Sequence, residues 1–302
     1  MMRPGQPVTE DHVAGRADLD LRSTLELVEL INDEDAGVPV AVRSAAHPLA
    51  SAIDAIADRL ARGGRLVYVG AGSSGRLAAV DAAECGPTFG VPPEQVVVIV
   101  AGGVTALAFA QEAAEDDEVA GARDLEAENV RELDAVVLLS ASGGTPYVTG
   151  AARAARRAGA LTVALVCAHD SELGRLAEHE VAVVVGPEVI AGSTRMKAGT
   201  AQKLLLNTIS TVAMVRLGKT YGNLMVDVVA SNAKLRQRAR SAVVIATGAA
   251  EAEVNAALES SAGDVKVAIV SLLTGLNAGD ARARLVAAGG VVRQALERDA
   301  VQ

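Results

Sequence analysis

The sequence predicts an α/β fold in three layers: a five-stranded parallel sheet between helices, followed by a small helical C-terminal part. Three observations predict it. Five short apolar runs alternate with helical patterns between Arg65 and Gly186. Each run is continuous rather than alternating, as in strands buried on both faces. From Ser193 onward the pattern is wholly helical. Half of the 302 residues are hydrophobic, yet aromatics make up only 2% and Trp is absent. Alanine, valine and leucine must therefore fill the core, which suits helices packed on a parallel sheet.

Taken in order, "STLELVELINDEDAGV" predicts an amphipathic helix whose start is fixed by a capping box of Ser23 and Glu26. "AVRSAAHPLASAIDAIADRLARGG" continues as helix to the Gly63-Gly64 stop. The strands are expected at 65–70, 95–100, 134–140, 161–166 and 180–186. Beyond them, "KAGTAQKLLLNTISTVAMVRLG" predicts a long apolar helix ending at Gly218, and "NLMVDVVASNAKLRQRARSAVVIATG" a second. Glycines break the remainder into short helices. The expected division is an N-terminal helical segment over 1–63, the sheet domain over 64–240 and a helical domain over 241–302. No internal repeat or low-complexity linker is evident.

Composition also narrows function. A net charge of −9 and a pI near 5.1 argue against a nucleic-acid partner, which selects basic faces. No apolar run approaches the roughly 18 residues of a membrane span. "MMRPGQPVTEDHVAG" carries acids early and no apolar core segment, so a signal peptide is not expected. Cys85 and Cys167 have neither metal nor disulfide spacing and are expected to be small buried thiols. Together these features point to a cytoplasmic protein.

Two turns carry the chemistry. The first, "VYVGAGSSGR", contains Gly70-x-Gly72-x-x-Gly75 between a strand and a helix, an arrangement that lets backbone amides approach a phosphate. A NAD site also needs a carboxylate at the end of the second strand to hold the ribose hydroxyls. That strand ends in Ala101-Gly102-Gly103, so a dinucleotide is not expected. The second turn, "SASGGTP", places Ser140, Ser142, Gly143 and Thr145 before a helix with Pro146 in its first turn. With Ser73 and Ser74 it makes two hydroxyl-rich turns after neighbouring strands, suited to a phosphate monoester. Either turn alone reads as ordinary helix capping.

This pair of loops resembles the sugar isomerase domain, a flavodoxin-like phosphosugar-binding fold. "GAGSSGRLAAVDAAECGPTFG" (70–90), "EAAEDD" (112–117), "GPEVIAGSTRMKAGTAQKLLLN" (186–207) and "YGNLMVDVVASNAKL" (221–235) sharpen the resemblance, from about Thr9 to the end, to the N-acetylmuramic acid 6-phosphate etherases. The related glucokinase regulatory protein shares some of these strings in a longer, two-domain chain. Membership implies release of D-lactate from N-acetylmuramic acid 6-phosphate, with no cofactor and no metal, by a homodimer. The long helix "AQKLLLNTISTVAMVRLG", with more apolar faces than one sheet layer needs, points the same way.

The chemistry needs one group to remove the proton at C2 and another to protonate the oxygen leaving C3. His12, His47, His169 and His179 form no ligand-spaced pair. The resemblance assigns the two roles to Glu84, as acid, and Glu115, as base, and an apolar surround in "DAAECGPTF" would raise the pKa of Glu84. Which glutamate does which is open from the residues themselves. Phosphate is expected on Gly72, Ser73, Ser74, Gly75, Ser140, Ser142, Gly143 and Thr145. "GSTRMK" adds Ser193, Thr194, Arg195 and Lys197, for whose two charges the competing reading is surface charge at a helix start. Ser73, Gly86 and Gly144 depart from the family's usual Thr, Pro and Arg, and the last removes a charge near the phosphate. The competing function is a non-catalytic sugar-phosphate sensor.

Overall fold

The central sheet is built from β1 (Leu66–Gly70), β2 (Val96–Val100), β3 (Ala135–Ser140), β4 (Leu161–Val166) and β5 (His179–Ala182). All neighbours are parallel, in the order β2-β1-β3-β4-β5. Every residue of β1, β3 and β4 is buried, which is why these strands read as unbroken apolar runs. The computed structural model describes residues 17–228 and 233–297. The opening "MMRPGQPVTEDHVAG" and the start of the family resemblance at Thr9 lie outside them.

Before the sheet come α1 (Thr24–Ala36), α2 (Val38–Ser44) and α3 (Ala46–Ala61). The capping box starts α1 as expected: the Ser23 amide donates to Glu26 Oε2 at 2.8 Å, and the Glu26 amide to Ser23 Oγ at 3.4 Å. Helix α3 buries Leu49, Ile53, Ile56 and Leu60, one apolar stripe at three- and four-residue spacing.

Between the strands run α4 (Gly72–Phe89), α5 (Thr105–Ala108), α6 (Glu112–Glu115), α7 (Glu118–Ala127), α8 (Pro146–Arg157) and α9 (Glu172–Leu176). On one face of the sheet, Val67, Val69, Val136, Leu138, Ala164 and Val166 form a core with Leu125 of α7, Tyr147 and Val148 of α8 and Leu173 of α9. Tyr68 belongs to the opposite set of β1 side chains, and its hydroxyl donates to Asp81 of α4 at 2.8 Å. Asp81 also accepts from Asn207 at 2.7 Å and Ser210 at 3.1 Å, both on α10 (Lys197–Arg216). The two helical layers of the predicted sandwich are thereby accounted for. At the other end of the strands, the fully buried Asp134 holds Arg65 by its amide (2.9 Å) and guanidinium (2.8 Å), fixing the starts of β1 and β3 together.

Packing divides the chain into residues 1–82 with 93–211, and residues 83–92 with 212–302, rather than at the expected boundaries 63/64 and 240/241. The second unit contains a short antiparallel hairpin, β6 (Thr220–Tyr221) with β7 (Leu224–Met225). Its helices are α11 (Ala233–Thr247), α12 (Glu251–Ser260), α13 (Val265–Thr274), α14 (Ala278–Ala287) and α15 (Val292–Glu297). The helix expected over "NLMVDVVASNAKLRQRARSAVVIATG" is thus corrected: its first residues form β7, and α11 begins only at Ala233; residues 229–232 lie outside the described part. Leu224 and Met225 are apolar in either conformation, so periodicity cannot separate the two.

Within this unit Val226, Val243, Val254, Val267, Ile269 and Val292 share one core. The buried Lys266 ammonium donates to Asp227 at 2.6 Å and to the Gly290 carbonyl at 3.0 Å. Gly90 lies so close to Asp227 that a Cβ there would sit 2.0 Å from its carbonyl oxygen, and its φ of +64° also demands glycine. That approach draws 83–92 into the unit.

Candidate active site

In the first unit, β1 and β3 are neighbours, with Gly70 in register with Leu139. The helices that follow them, α4 and α8, therefore start side by side at the C-terminal edge of the sheet. The strand order reverses at β1, and ligands of such sheets bind at that switch point. A cavity of about 410 Å³ opens there. Its hydroxyl lining is Ser73 and Ser74 from the first turn, Ser140, Ser142 and Thr145 from the second, and Thr194 from the segment before α10. Helix N-terminal amides and hydroxyls together suit an anion without requiring a net positive protein.

The second turn is organised by its own hydroxyls. Ser140 Oγ lies 2.7 Å from Thr145 Oγ1 and 3.4 Å from Ser142 Oγ, and accepts the Gly143 amide at 2.9 Å. Gly143 has φ +70°, and a Cβ there would fall 2.3 Å from that of Ser171. In the first turn, Gly70 and Gly75 let strand and helix touch: a Cβ on Gly75 would come within 2.7 Å of Val100 and 2.9 Å of the Gly70 carbonyl. Gly72, with φ +51°, serves a different purpose. A Cβ at Gly72 would lie 2.5 Å from Glu115 Oε1, so the missing side chain is what admits the carboxylate.

Glu115, the last residue of α6, lines the cavity and is half-buried. Burial pushes its pKa up from the ordinary glutamate value; the charges of Asp116 and Glu112 add to this, and Arg76 opposes them. Arg76 also lines the cavity, and its Nε donates to the Ala106 carbonyl at 2.9 Å. Cys167 is no rival as a reactive group: burial, with the charge of Glu188, pushes its thiol up to about 12.

Other expected residues are placed differently. Gly75 and Gly143 are buried behind the cavity lining, Ser193 is half-buried and Arg195 exposed, and these are not among the lining residues. Lys197 is buried with 4% exposure and its ammonium is bonded to Glu34 of α1, so its charge is spent inside the first unit, not presented to the cavity. Glu84 falls in the second unit, on α4. The apolar enclosure expected around it is not found: Glu84 is exposed, and it is Cys85 beside it that is buried. On a helix, adjacent residues point about 100° apart, so an apolar neighbour in sequence does not enclose a side chain.

Sequence reasoning missed Arg76, Gln111 and Glu112, which also line the cavity. Arg76 carried a usable signal, since it directly follows the glycine motif in the first turn of α4. It also missed Glu188, buried to 1%, whose carboxylate accepts the Lys197 amide at 3.1 Å and the Ala198 amide at 3.0 Å and so caps α10.

Parallel strands in the order 2-1-3-4-5, with two hydroxyl-rich helix starts at the switch point, make this a flavodoxin-like fold of the kind found in sugar isomerase (SIS) domains. Residues 48–155 match the family model of the glucokinase regulatory protein N-terminal SIS domain. Almost the whole chain is similar to the N-acetylmuramic acid 6-phosphate etherase of Rubrobacter xylanophilus, 58% identical over 97% of each chain. The etherase of Streptomyces avermitilis is 53% identical over 93% of this chain and 90% of that one. Among solved structures, a phosphoheptose isomerase from Francisella tularensis covers 64% of this chain and 100% of that one, with TM-score 0.49 and 14% identity. The chain belongs to the N-acetylmuramic acid 6-phosphate etherase family.

Proposed function

We propose that this protein cleaves the D-lactyl ether of N-acetylmuramic acid 6-phosphate to give N-acetylglucosamine 6-phosphate and D-lactate. The observation that carries the residue assignment is the half-buried Glu115 carboxylate lying against Gly72 at the head of the hydroxyl-lined cavity. The 6-phosphate would sit on Ser73, Ser74, Ser140, Ser142 and Thr145 and the amides of α4 and α8. Anchored there, the open-chain sugar presents C2 to Glu115.

Glu115 takes the C2 proton, and the electron pair delocalises into the C1 aldehyde as an enolate. The enolate then expels the C3 oxygen, breaking the ether bond and leaving a C2–C3 double bond. The departing lactate oxygen takes its proton from Glu84. Water adds at C3 and a proton returns to C2, completing a sugar with a C3 hydroxyl. A raised pKa makes Glu115 a stronger base once ionised. The role of Glu84 rests on its place in "DAAECGPTF". The reaction belongs to cell-wall sugar recycling or catabolism in the cytoplasm, a reducing setting in keeping with two buried cysteines that form no disulfide.

The test is lactate release from the muramyl sugar phosphate by the purified protein, with C2 exchange followed in deuterated water. Glu115→Gln should abolish both. Glu84→Gln should slow lactate release by roughly 10²–10⁴ and leave C2 exchange intact. Turnover in ¹⁸O-water should label the sugar at C3 and not the lactate. Exchange lost in the Glu84 variant but kept in the Glu115 variant would reverse the two roles. Binding without any lactate release would make the protein a sugar-phosphate sensor instead.

A further inference from the structure

Beneath the first hydroxyl turn lies a side chain that the reaction as described does not use. Gln202, on α10, is 1% exposed, and its Oε1 accepts a hydrogen bond from Ser74 Oγ at 2.8 Å. The other end of the same amide, Nε2, is buried with no hydrogen-bond partner among the described residues. A buried amide nitrogen without an acceptor is costly, and nearly all such groups in folded proteins are satisfied.

The arrangement also has a consequence for Ser74. A serine has one O–H to give. While that hydrogen is directed at Gln202, Ser74 turns only lone pairs toward the cavity it lines, which repels an anion. Rotation of the Gln202 amide by 180° about its Cγ–Cδ bond exchanges Oε1 and Nε2 at almost no change in shape. Nε2 would then lie 2.8 Å from Ser74 Oγ and donate to it. The Ser74 hydrogen is released to the cavity, where it makes a charge-assisted bond to an anion. In either orientation one end of the amide is paired with Ser74, so the cavity's contents select between them.

We propose that Gln202 is a positioning residue that reverses the direction of the Ser74 hydroxyl when a phosphate group enters the cavity, accepting from Ser74 in the empty site and donating to it in the filled one. This rests on the reading of the cavity as a phosphate site. In the Ser74–Gln202 pair the hydroxyl is bonded to a side chain outside the cavity lining, whereas Ser140, Ser142 and Thr145 are bonded to one another and to backbone amides.

The test uses the full chain with N-acetylglucosamine 6-phosphate as the probe, by calorimetry, so that it does not depend on turnover. Gln202→Met keeps the length and removes the donor; it should weaken binding about tenfold, and raise KM with kcat nearly unchanged, since the phosphate is remote from C2 and C3. Gln202→Glu offers an acceptor only, holds the Ser74 hydrogen permanently, and should weaken binding more than the methionine variant does. In a Ser74→Ala background, Gln202→Met should cost nothing further. If the two substitutions instead multiply, Gln202 acts on the fold and not through Ser74, and the proposal fails while the phosphate site stands. If the wild-type protein binds no phosphosugar, the site reading itself fails. Should the variants not fold, the Gln202 side-chain amide resonances of the wild-type protein decide: they should move on saturation with the probe, and unmoved resonances overturn the proposal.

Discussion

Glu115 is the proposed base, and its environment bears directly on the proposed reaction. Burial raises its pKa, with Asp116 and Glu112 reinforcing and Arg76 opposing. A base works only when deprotonated, so the acid limb of the kcat/KM profile should lie above the ~4.3 of an ordinary glutamate. Arg76→Gln removes the opposing charge and should move that limb to still higher pH. Stability carries the same sign. A folded-state pKa above the unfolded value means the ionised carboxylate destabilises the native state at pH values above both, a cost that disappears as pH falls below them. Glu115→Gln should therefore melt no lower than wild type at pH 8, with its advantage shrinking toward pH 4. A variant less stable at pH 8 and gaining relative to wild type on acidification would contradict the assigned direction.

At the scale of an element, α10 depends on a residue outside it. Its first amides, at Lys197 and Ala198, are satisfied by Glu188, and the segment leading into it carries Gly192 and Thr194 to the cavity. Removing the cap orphans two buried donors. Glu188→Ala should lower unfolding stability by about 1–3 kcal/mol in urea titrations and also weaken phosphosugar binding as Thr194 loses its anchor. Unchanged affinity at reduced stability would mean that the cap serves α10 alone. "KAGTAQKLLLNTISTVAMVRLG" was readable as this helix because its apolar residues recur at helical spacing. The same string misleads about assembly. Leu205, Leu206, Ile209, Ala213 and Met214 are all fully buried within one chain, so its apolar faces give no argument for a dimer.

At the scale of the molecule, we propose a homodimer whose contact face includes α1. No residue of this 13-residue helix is buried, and Leu25 and Val28 are 65% and 50% exposed. A helix this short is marginal in water unless an apolar face is covered. A second copy of the chain would cover it. Light scattering at micromolar concentration should give twice the 30.7 kDa of one chain, and Leu25→Glu with Val28→Glu should shift the mass toward the monomer. A wild-type monomer with full activity would remove the proposal.

The sequence by itself determined the parallel sheet, four of its strands to within a residue and the fifth in place though it ends at Ala182 rather than 186, and the two turns that meet at its edge. Those features are local: a strand buried on both faces must be apolar throughout, and a helix start near a phosphate must offer small residues and hydroxyls. It also singled out Glu115, which the fold places in the lining of the cavity. The tertiary structure alone decided what the polar groups do. Lys197 looked like a cation for the substrate until the fold brought Glu34, 163 positions away, against its ammonium. Ser74 looked like a free hydroxyl until α10 delivered Gln202 from 128 positions away. Gly72 lines the cavity as a phosphate glycine would, and its lack of a side chain also leaves room for Glu115. Apolar burial follows a pattern written in consecutive residues. The partner of a buried polar group is fixed by strand order and helix packing, so it is known only when distant segments are brought together.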